Sequence, residues 1–250
     1  MRYFLEIAYN GTHYHGWQNQ PNAISVQEVV EKSLSTYLQE KIAVVGCGRT
    51  DSGVHASQFF LHFDTVKVQT NHELFLFKIN SILPKDISVY QIIPVVSDAH
   101  ARFTAQSRSY IYSISQIKNP FLYDVSWRLN KKLDIEKMRI AGSLLLGTQD
   151  FTSFSKLHTD VKTNICTVTN FEIIEKENIG IDFHISANRF LRNMVRAIVG
   201  TVVDVGLGKL SIEDFKQIIA IKNRSNAGAS VPAKGLFLSE VVYPNNIFVK

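Results

Sequence analysis

Between residues 46 and 56 the chain reads GCGRTDSGVHA, crowding Gly, Arg, Asp and His into one short stretch. Such a mixture suits a loop from which a rigid scaffold aims polar groups outward. Asp51 at its centre is a carboxylate, which when ionised can serve as a nucleophile or a base. Asp beside Gly also builds turns by bonding its own backbone, so a purely structural role stands beside the chemical one. A dinucleotide-binding fingerprint does not fit, because one starting at Gly46 and Gly48 needs its third glycine where Asp51 stands.

A second loaded stretch is SANRFLRNMVRAIVGTVVDVG, residues 186–206. Read as a helix beginning near Asn188, it spaces Arg189, Arg192 and Arg196 by three and four residues, which places them on one face. That face is either a solvated basic stripe on a core-packed helix or a phosphate-binding surface. An arginine buried there needs a carboxylate partner, and Asp51 is a candidate, since a nearby guanidinium favours the ionised acid. In ARFTAQSRSYIY, residues 101–112, Arg102 and Arg108 alternate with Phe103, Tyr110 and Tyr112, a mixture suited to phosphate contacts and base stacking. Tyr110 and Tyr112 lie two apart, hence on one face of a strand, where core aromatics are the competing reading. His13 and His15 have no acidic or cysteine neighbours close by, which favours a surface loop over a metal site.

The elements that must position these residues follow from periodicity. Residues 2–9 read as a strand, and Ser25 with Glu28 forms the spacing of a capping box for a helix to about Tyr37. Strands at 43–49 and 58–65 flank the Asp51 stretch, a helix covers 71–82, and a strand covers 87–95. The order is that of a split βαβ unit. It repeats with a strand at 108–115, a helix at 134–146, strands at 164–175 and 179–187 about a turn at Asn178 and Gly180, and the helix from Asn188. An extra helix at 211–221 precedes a last strand at 236–243. The fold class predicted is α+β: two ferredoxin-like (βαββαβ) halves joined into one mainly antiparallel sheet, with helices on one face and a central cleft. Residues 1–100 form the half carrying the Asp51 loop, and residues 101–250 the half completing the cleft.

With 250 residues, 45% hydrophobic and 20% charged, the chain can bury one large core or two moderate ones and is not a disordered composition. A net charge of +5 and a pI near 9.1 favour anionic partners such as nucleic acid. Cys47 and Cys166 are far apart and without metal-ligand spacing, which points away from a disulfide framework or structural zinc and towards a reducing cytoplasm. The opening residues lack the pattern of a secretion signal, and no apolar run approaches the length of a membrane span, so no membrane partner is expected.

GRTDSGVHA at 48–56, ARF at 101–103 with RSYIY at 108–112, DFTSF at 150–154, MVR at 194–196 and GLFL at 235–238 occur in this order. In motifs and order the chain closely resembles the tRNA pseudouridine synthase A family, from YNGTHYHGWQNQ to PAKGLFLSEV. It departs at KTNI, 162–165, where many members carry an RT-containing segment that bears on peripheral RNA contacts.

The resemblance implies two ferredoxin-like halves with the active site in a central cleft, a homodimer, no required metal or organic cofactor, and uridines 38, 39 and 40 of the tRNA anticodon stem-loop as substrate. It implies Asp51 as the catalytic carboxylate, Arg196 as its charge partner, Tyr110 stacked on the uracil, and Leu236 packed against the target base. Arg49 then fills the space of the flipped nucleotide or grips its phosphate, and Arg189 and Arg192 are candidates for substrate phosphates. Two other classes compete: a noncatalytic RNA-binding module, which the unbroken Asp51 motif opposes, and an aspartate-dependent nucleosidase, which needs no extended basic surface.

Overall fold

The run RYFLEIAY carries apolar residues on both of its faces and forms β1 (Arg2–Tyr9), with Tyr3, Phe4, Leu5, Ile7 and Tyr9 all buried. A strand buried on both faces sits inside its sheet. Accordingly β3 (His55–Asp64) runs antiparallel along one edge, Leu5 opposite Leu61, and β4 (Ile87–Val95) along the other, Leu5 opposite Ile92. The computed structural model describes residues 1–67, 71–156 and 162–249. Its contacts divide into two units, Met1–Gln106 with Phe237–Lys250, and Ser107–Leu236.

In the first unit the strand order is β4-β1-β3-β10, where β10 spans Leu236–Val242. β10 pairs parallel to β3 through Phe237 opposite His55 and Leu238 opposite Ala56. Further along the same edge of β3, the two-residue β2 (Val45–Gly46) pairs with Leu61 and His62. The strand expected over 43–49 is thus reduced to two residues. A side chain at Gly46 would meet Phe59 and Trp17 at 2.6 Å, so the absence of one lets that aromatic pair close to 4.2 Å between centroids. Helix α1 (Val26–Leu38) starts where Ser25 accepts from the Glu28 N–H, and buries Val26, Val30, Leu34 and Leu38 along one stripe. Helix α2 (His72–Ile82) is capped by Asn71 and buries Phe75 and Ile79.

In the second unit the order is β5-β9-β8-β7, all antiparallel: β5 (Ser107–Ser115), β7 (Gly147–Asp150), β8 (Ile165–Lys176) and β9 (Gly180–Ala187). A short β6 (Trp127–Arg128) lies parallel to β5. The turn between β8 and β9 is where it was expected, with Asn178 at φ +57°. Helix α4 (Met194–Gly206) is apolar nearly all round and almost wholly buried, against α3 (Ile135–Ser143) and α5 (Ile212–Ile221). Both units are therefore α+β, and among the described residues no helix is long and apolar enough to cross a membrane.

One expectation fails outright. The long helix begins at Met194 and not near Asn188, because Asn193 sits in the left-handed region, φ +67°, and interrupts any helical path into it. Residues before it are held otherwise. The Asn188 side chain accepts from the Thr167 N–H at 2.9 Å, its own N–H donates to the Thr167 carbonyl, and the Arg192 carbonyl accepts from the Lys156 N–H. Arg189 and Arg192 hence precede the helix, and only Arg196 of the three arginines is on it.

Candidate active site

Asp51 stands at the first position of a tight turn between β2 and β3. The Val54 N–H donates to the Asp51 carbonyl at 3.1 Å, and Gly53 takes φ +76° at the third position, a conformation that glycine reaches without steric cost. The turn-forming reading of Asp51 is thus correct for its backbone, while its side chain is half-buried and Arg49 beside it is exposed. Thr50 anchors the turn from below, its hydroxyl 2.9 Å from the Tyr9 hydroxyl, both buried.

A second segment, NGTHYHGW at 10–17, clasps this turn. Trp17 N–H donates to the Thr50 carbonyl, Gly53 N–H to the Tyr14 carbonyl, and the Ser52 hydroxyl to the same carbonyl. Two glycines permit the approach. A Cβ on Gly16, φ +87°, would stand 2.4 Å from the Thr50 oxygen, and one on Gly11 would stand 2.0 Å from the Val54 oxygen. His13 and His15 are exposed as a surface loop would have them, yet Gly11, Tyr14, Gly16 and Trp17 between and around them are buried. The Tyr14 hydroxyl donates to Asp86 Oδ1 at 2.6 Å, and burial together with that carboxylate holds the phenol well above its ordinary range.

His55, four residues past Asp51, closes the clasp. Its Nδ1 accepts from the buried Gly11 N–H at 3.0 Å, so this nitrogen carries no proton, and its ring stacks on Phe237 at 4.5 Å. Gly11, Tyr14 and Gly16 are site-building residues that the sequence reading passed over, whereas His55 stood in the motif without a role of its own. The available signal was the pair of glycines five residues apart in a polar stretch facing a second Gly-rich stretch.

The other predicted residues belong to the second unit. Tyr110 on β5 is half-exposed, and its ring meets Phe190 edge-on at 5.0 Å and 86°, an arrangement that fixes the ring plane. Tyr112, two residues on, is fully buried and donates to the Pro232 carbonyl at 2.9 Å, so the core-aromatic reading holds for it. Arg196 lies in the first turn of α4, where its Nε donates to the Val231 carbonyl at 2.7 Å while Val231 N–H donates to the Arg196 carbonyl. Burial raises the Tyr112 phenol, and the positive charge of Arg196 opposes that shift. The chain at 227–231 is packed hard on α4: a Cβ at Gly200 would stand 1.9 Å from the Ala229 oxygen. Leu236 is buried at the start of β10, directly after Gly235, whose Cβ would meet the Tyr112 ring at 2.8 Å. Arg189 is half-buried and Arg192 exposed. Arg108 donates to the Asn188 carbonyl at 3.1 Å.

Both cysteines are buried, and burial pushes the Cys166 thiol up to about 11. Among the described residues no group of three or more His, Cys, Asp or Glu converges as metal ligands. In chemical terms the first unit offers a carboxylate on a backbone turn tied down from two sides, and the second offers a fixed guanidinium and an aromatic ring braced at its edge.

Residues 7–104 and 141–244 match the family described as tRNA pseudouridine synthase. Among curated relatives, a tRNA pseudouridine synthase A of Bacteroides fragilis is 51% identical over 247 residues, covering 99% of this chain and 98% of the relative. That of Porphyromonas gingivalis is 50% identical with 99% of both chains covered, and that of Clostridium acetobutylicum 42% identical with 96% and 98% covered.

Proposed function

This chain belongs to the tRNA pseudouridine synthase family, and from that premise we propose that it isomerises uridine to pseudouridine at positions 38, 39 and 40 of the tRNA anticodon stem-loop with Asp51 as the catalytic carboxylate. The reaction breaks the bond from ribose C1′ to uracil N1, turns the base, and joins C1′ to C5. The C5 proton is lost and N1 gains one, so no oxidant or reductant is consumed. Attack at C1′, abstraction from C2′ and addition to uracil C6 all call for an ionised, oriented carboxylate.

The observation that carries the assignment is the clasped turn. A residue whose backbone is held by Tyr9, Tyr14 and Trp17 through its neighbours Thr50, Ser52 and Gly53 is pre-positioned, which is what a reacting group requires and a mere turn does not. Arg196 supplies the cation that keeps the carboxylate charged, a task that suits a planar guanidinium. Tyr110, braced by Phe190, stacks on the uracil and keeps the detached base in place, and Leu236 packs against it. Arg49 takes the place of the flipped nucleotide or holds its phosphate, and Arg189 and Arg192 bind substrate phosphates. The enzyme acts as a cytoplasmic homodimer and uses no cofactor.

Tritium release from tRNA carrying C5-labelled uridine tests this reading. Wild type releases label from tRNA and not from free uridine, and Asp51→Asn abolishes release with tRNA affinity nearly intact. Activity of Asp51→Asn within tenfold of wild type would overturn the assignment. Equal release from free uridine would favour a nucleosidase.

A further inference from the structure

Arg224 carries a charge that the reaction as assigned does not use. It stands in the 3₁₀ turn Arg224–Asn226 that follows α5, and it is half-buried. Its Nη1 donates to the carbonyls of Ala227 at 3.3 Å and Gly228 at 3.1 Å, and its Nη2 to the Ser230 hydroxyl at 3.0 Å. All three acceptors are neutral. Burial lowers the arginine from its ordinary range, and no carboxylate among the described residues opposes that shift. A cation held in this way costs stability, and what it provides is geometry: a planar fork that fixes several acceptors in one short stretch of chain.

The stretch it fixes is the strap over α4. Gly228 N–H donates to the Thr201 hydroxyl at 3.0 Å, and the Ala229 oxygen lies 1.9 Å from where a Cβ on Gly200 would be. Val231 then meets Arg196 twice. Its N–H donates to the Arg196 carbonyl at 3.2 Å, and its carbonyl accepts from the Arg196 side chain, Nε at 2.7 Å. Between them, the Ser230 hydroxyl that accepts from Arg224 also accepts from the Asn193 amide at 2.6 Å, so the residue at which α4 begins is tied to the same fork. The fork is itself rooted in DFTSF, residues 150–154, a motif to which the reaction gives no role. The buried Ser153 hydroxyl donates to the Ile218 carbonyl and accepts from the Asn223 N–H at 3.0 Å, and Asp150 pairs with Lys222 at 3.3 Å. Both residues immediately before Arg224 are thereby held.

We propose that Arg224 is a positioning residue for the reaction: its guanidinium holds the 227–231 strap, and the strap holds the Arg196 side chain in the orientation in which it acts. This role rests on the reading of Arg196 as the charge partner of the catalytic carboxylate. Without the fork the Val231 carbonyl can shift and the Arg196 guanidinium shifts with it, and a misplacement of about 1 Å costs on the order of a hundredfold in rate.

The test is single-turnover tritium release from C5-labelled tRNA by the full chain, with tRNA affinity measured beside it. Arg224→Gln keeps a donor but not the fork. It slows release about ten- to hundredfold and leaves affinity within about twofold of wild type. In an Arg196→Met background the same change costs no more than about twofold, because a residue that acts only through Arg196 has nothing left to position. Ser230→Ala cuts the fork at one prong, repeats the pattern on a smaller scale, and decides the matter if Arg224→Gln does not fold. Wild-type release by both variants would overturn the role. So would a loss by the same factor in both backgrounds, which marks a merely structural residue, or a loss confined to affinity, which marks a phosphate contact. Wild-type release by Arg196→Met alone would overturn the reading of Arg196 itself, and the role of Arg224 with it.

Discussion

Gly16→Ala probes the clasp without touching any group that could meet substrate. The alanine must hold φ +87°, which for an L-residue costs about 1–2 kcal/mol. Its Cβ would stand 2.4 Å from the Thr50 oxygen and 3.2 Å from the Asp51 carbonyl carbon, where ordinary contact begins at 3.4 Å. Relief therefore requires a shift of about 1 Å, and overpacking of this kind costs roughly 1–3 kcal/mol. Thr50 cannot give way alone, being tied to Tyr9 through its hydroxyl and to Trp17 through its carbonyl. The strain therefore passes to Asp51. A displacement of about 1 Å at a reacting group costs on the order of a hundredfold in rate. Gly16→Ala is expected to lose about 2–5 kcal/mol of stability, seen as a lower denaturant midpoint, and about a hundredfold in tritium release, with tRNA affinity close to wild type. Thr12→Ala, an exposed position in the same segment whose hydroxyl donates only to Asn10, is the comparison and should cost no more than about 1 kcal/mol. If Gly16→Ala keeps both stability and rate near those of Thr12→Ala, the clasp does not position Asp51.

Two further predictions concern charge. Arg196→Met removes both a cation and the donor to the Val231 carbonyl, so it should lower tritium release about a hundredfold or more and cost about 1.5–3 kcal/mol in urea unfolding. Arg196→Lys restoring full activity would show that the guanidinium geometry is irrelevant. His62 is buried on β3 with its Nδ1 accepting from Ala101 N–H, and burial, followed by the charge of Arg2, lowers its pKa from 6.5 to about 4. The unfolded chain therefore takes up a proton that the folded chain refuses between those values, so stability is full above pH 6.5 and falls as pH drops towards 4, by on the order of 2–3 kcal/mol. His62→Asn keeps an acceptor for Ala101 and should flatten that part of the stability curve; an unchanged slope would assign it to other groups.

Much of this architecture was legible because it is local. The strand at 87–95 and the helix opened by Ser25 depend on alternation, on a 3.6-residue stripe and on one capping hydroxyl, all of which neighbours in sequence display. What failed depends on contacts between distant residues. The arginine spacing at 189, 192 and 196 mimicked a helical face, yet residues 188–193 are held by bonds to Thr167 and Lys156, and Asn193 turns left-handed before the helix can start. β6 and β7 are two and four residues long and too short for any periodicity to show. Asp51 and its motif were visible as a sequence. The means of holding it were not, because the partners of the turn lie some forty residues earlier and the decisive feature at Gly11 and Gly16 is the absence of a side chain.

The parallel pairing of Phe237 with His55 makes the order of synthesis matter. A ribosome delivers residues 1–106 first and the strand that lies against the Asp51 turn only after residues 107–235. At roughly 5–20 residues per second, on the order of ten seconds pass before β10 emerges. During that interval the edge of β3 next to the turn has no β10 beside it, and His55 lacks the Phe237 ring it stacks upon. The nascent residues 1–106 therefore carry the Asp51 loop on an open sheet edge, exposed to mispairing, and that edge is completed only when β10 has been made.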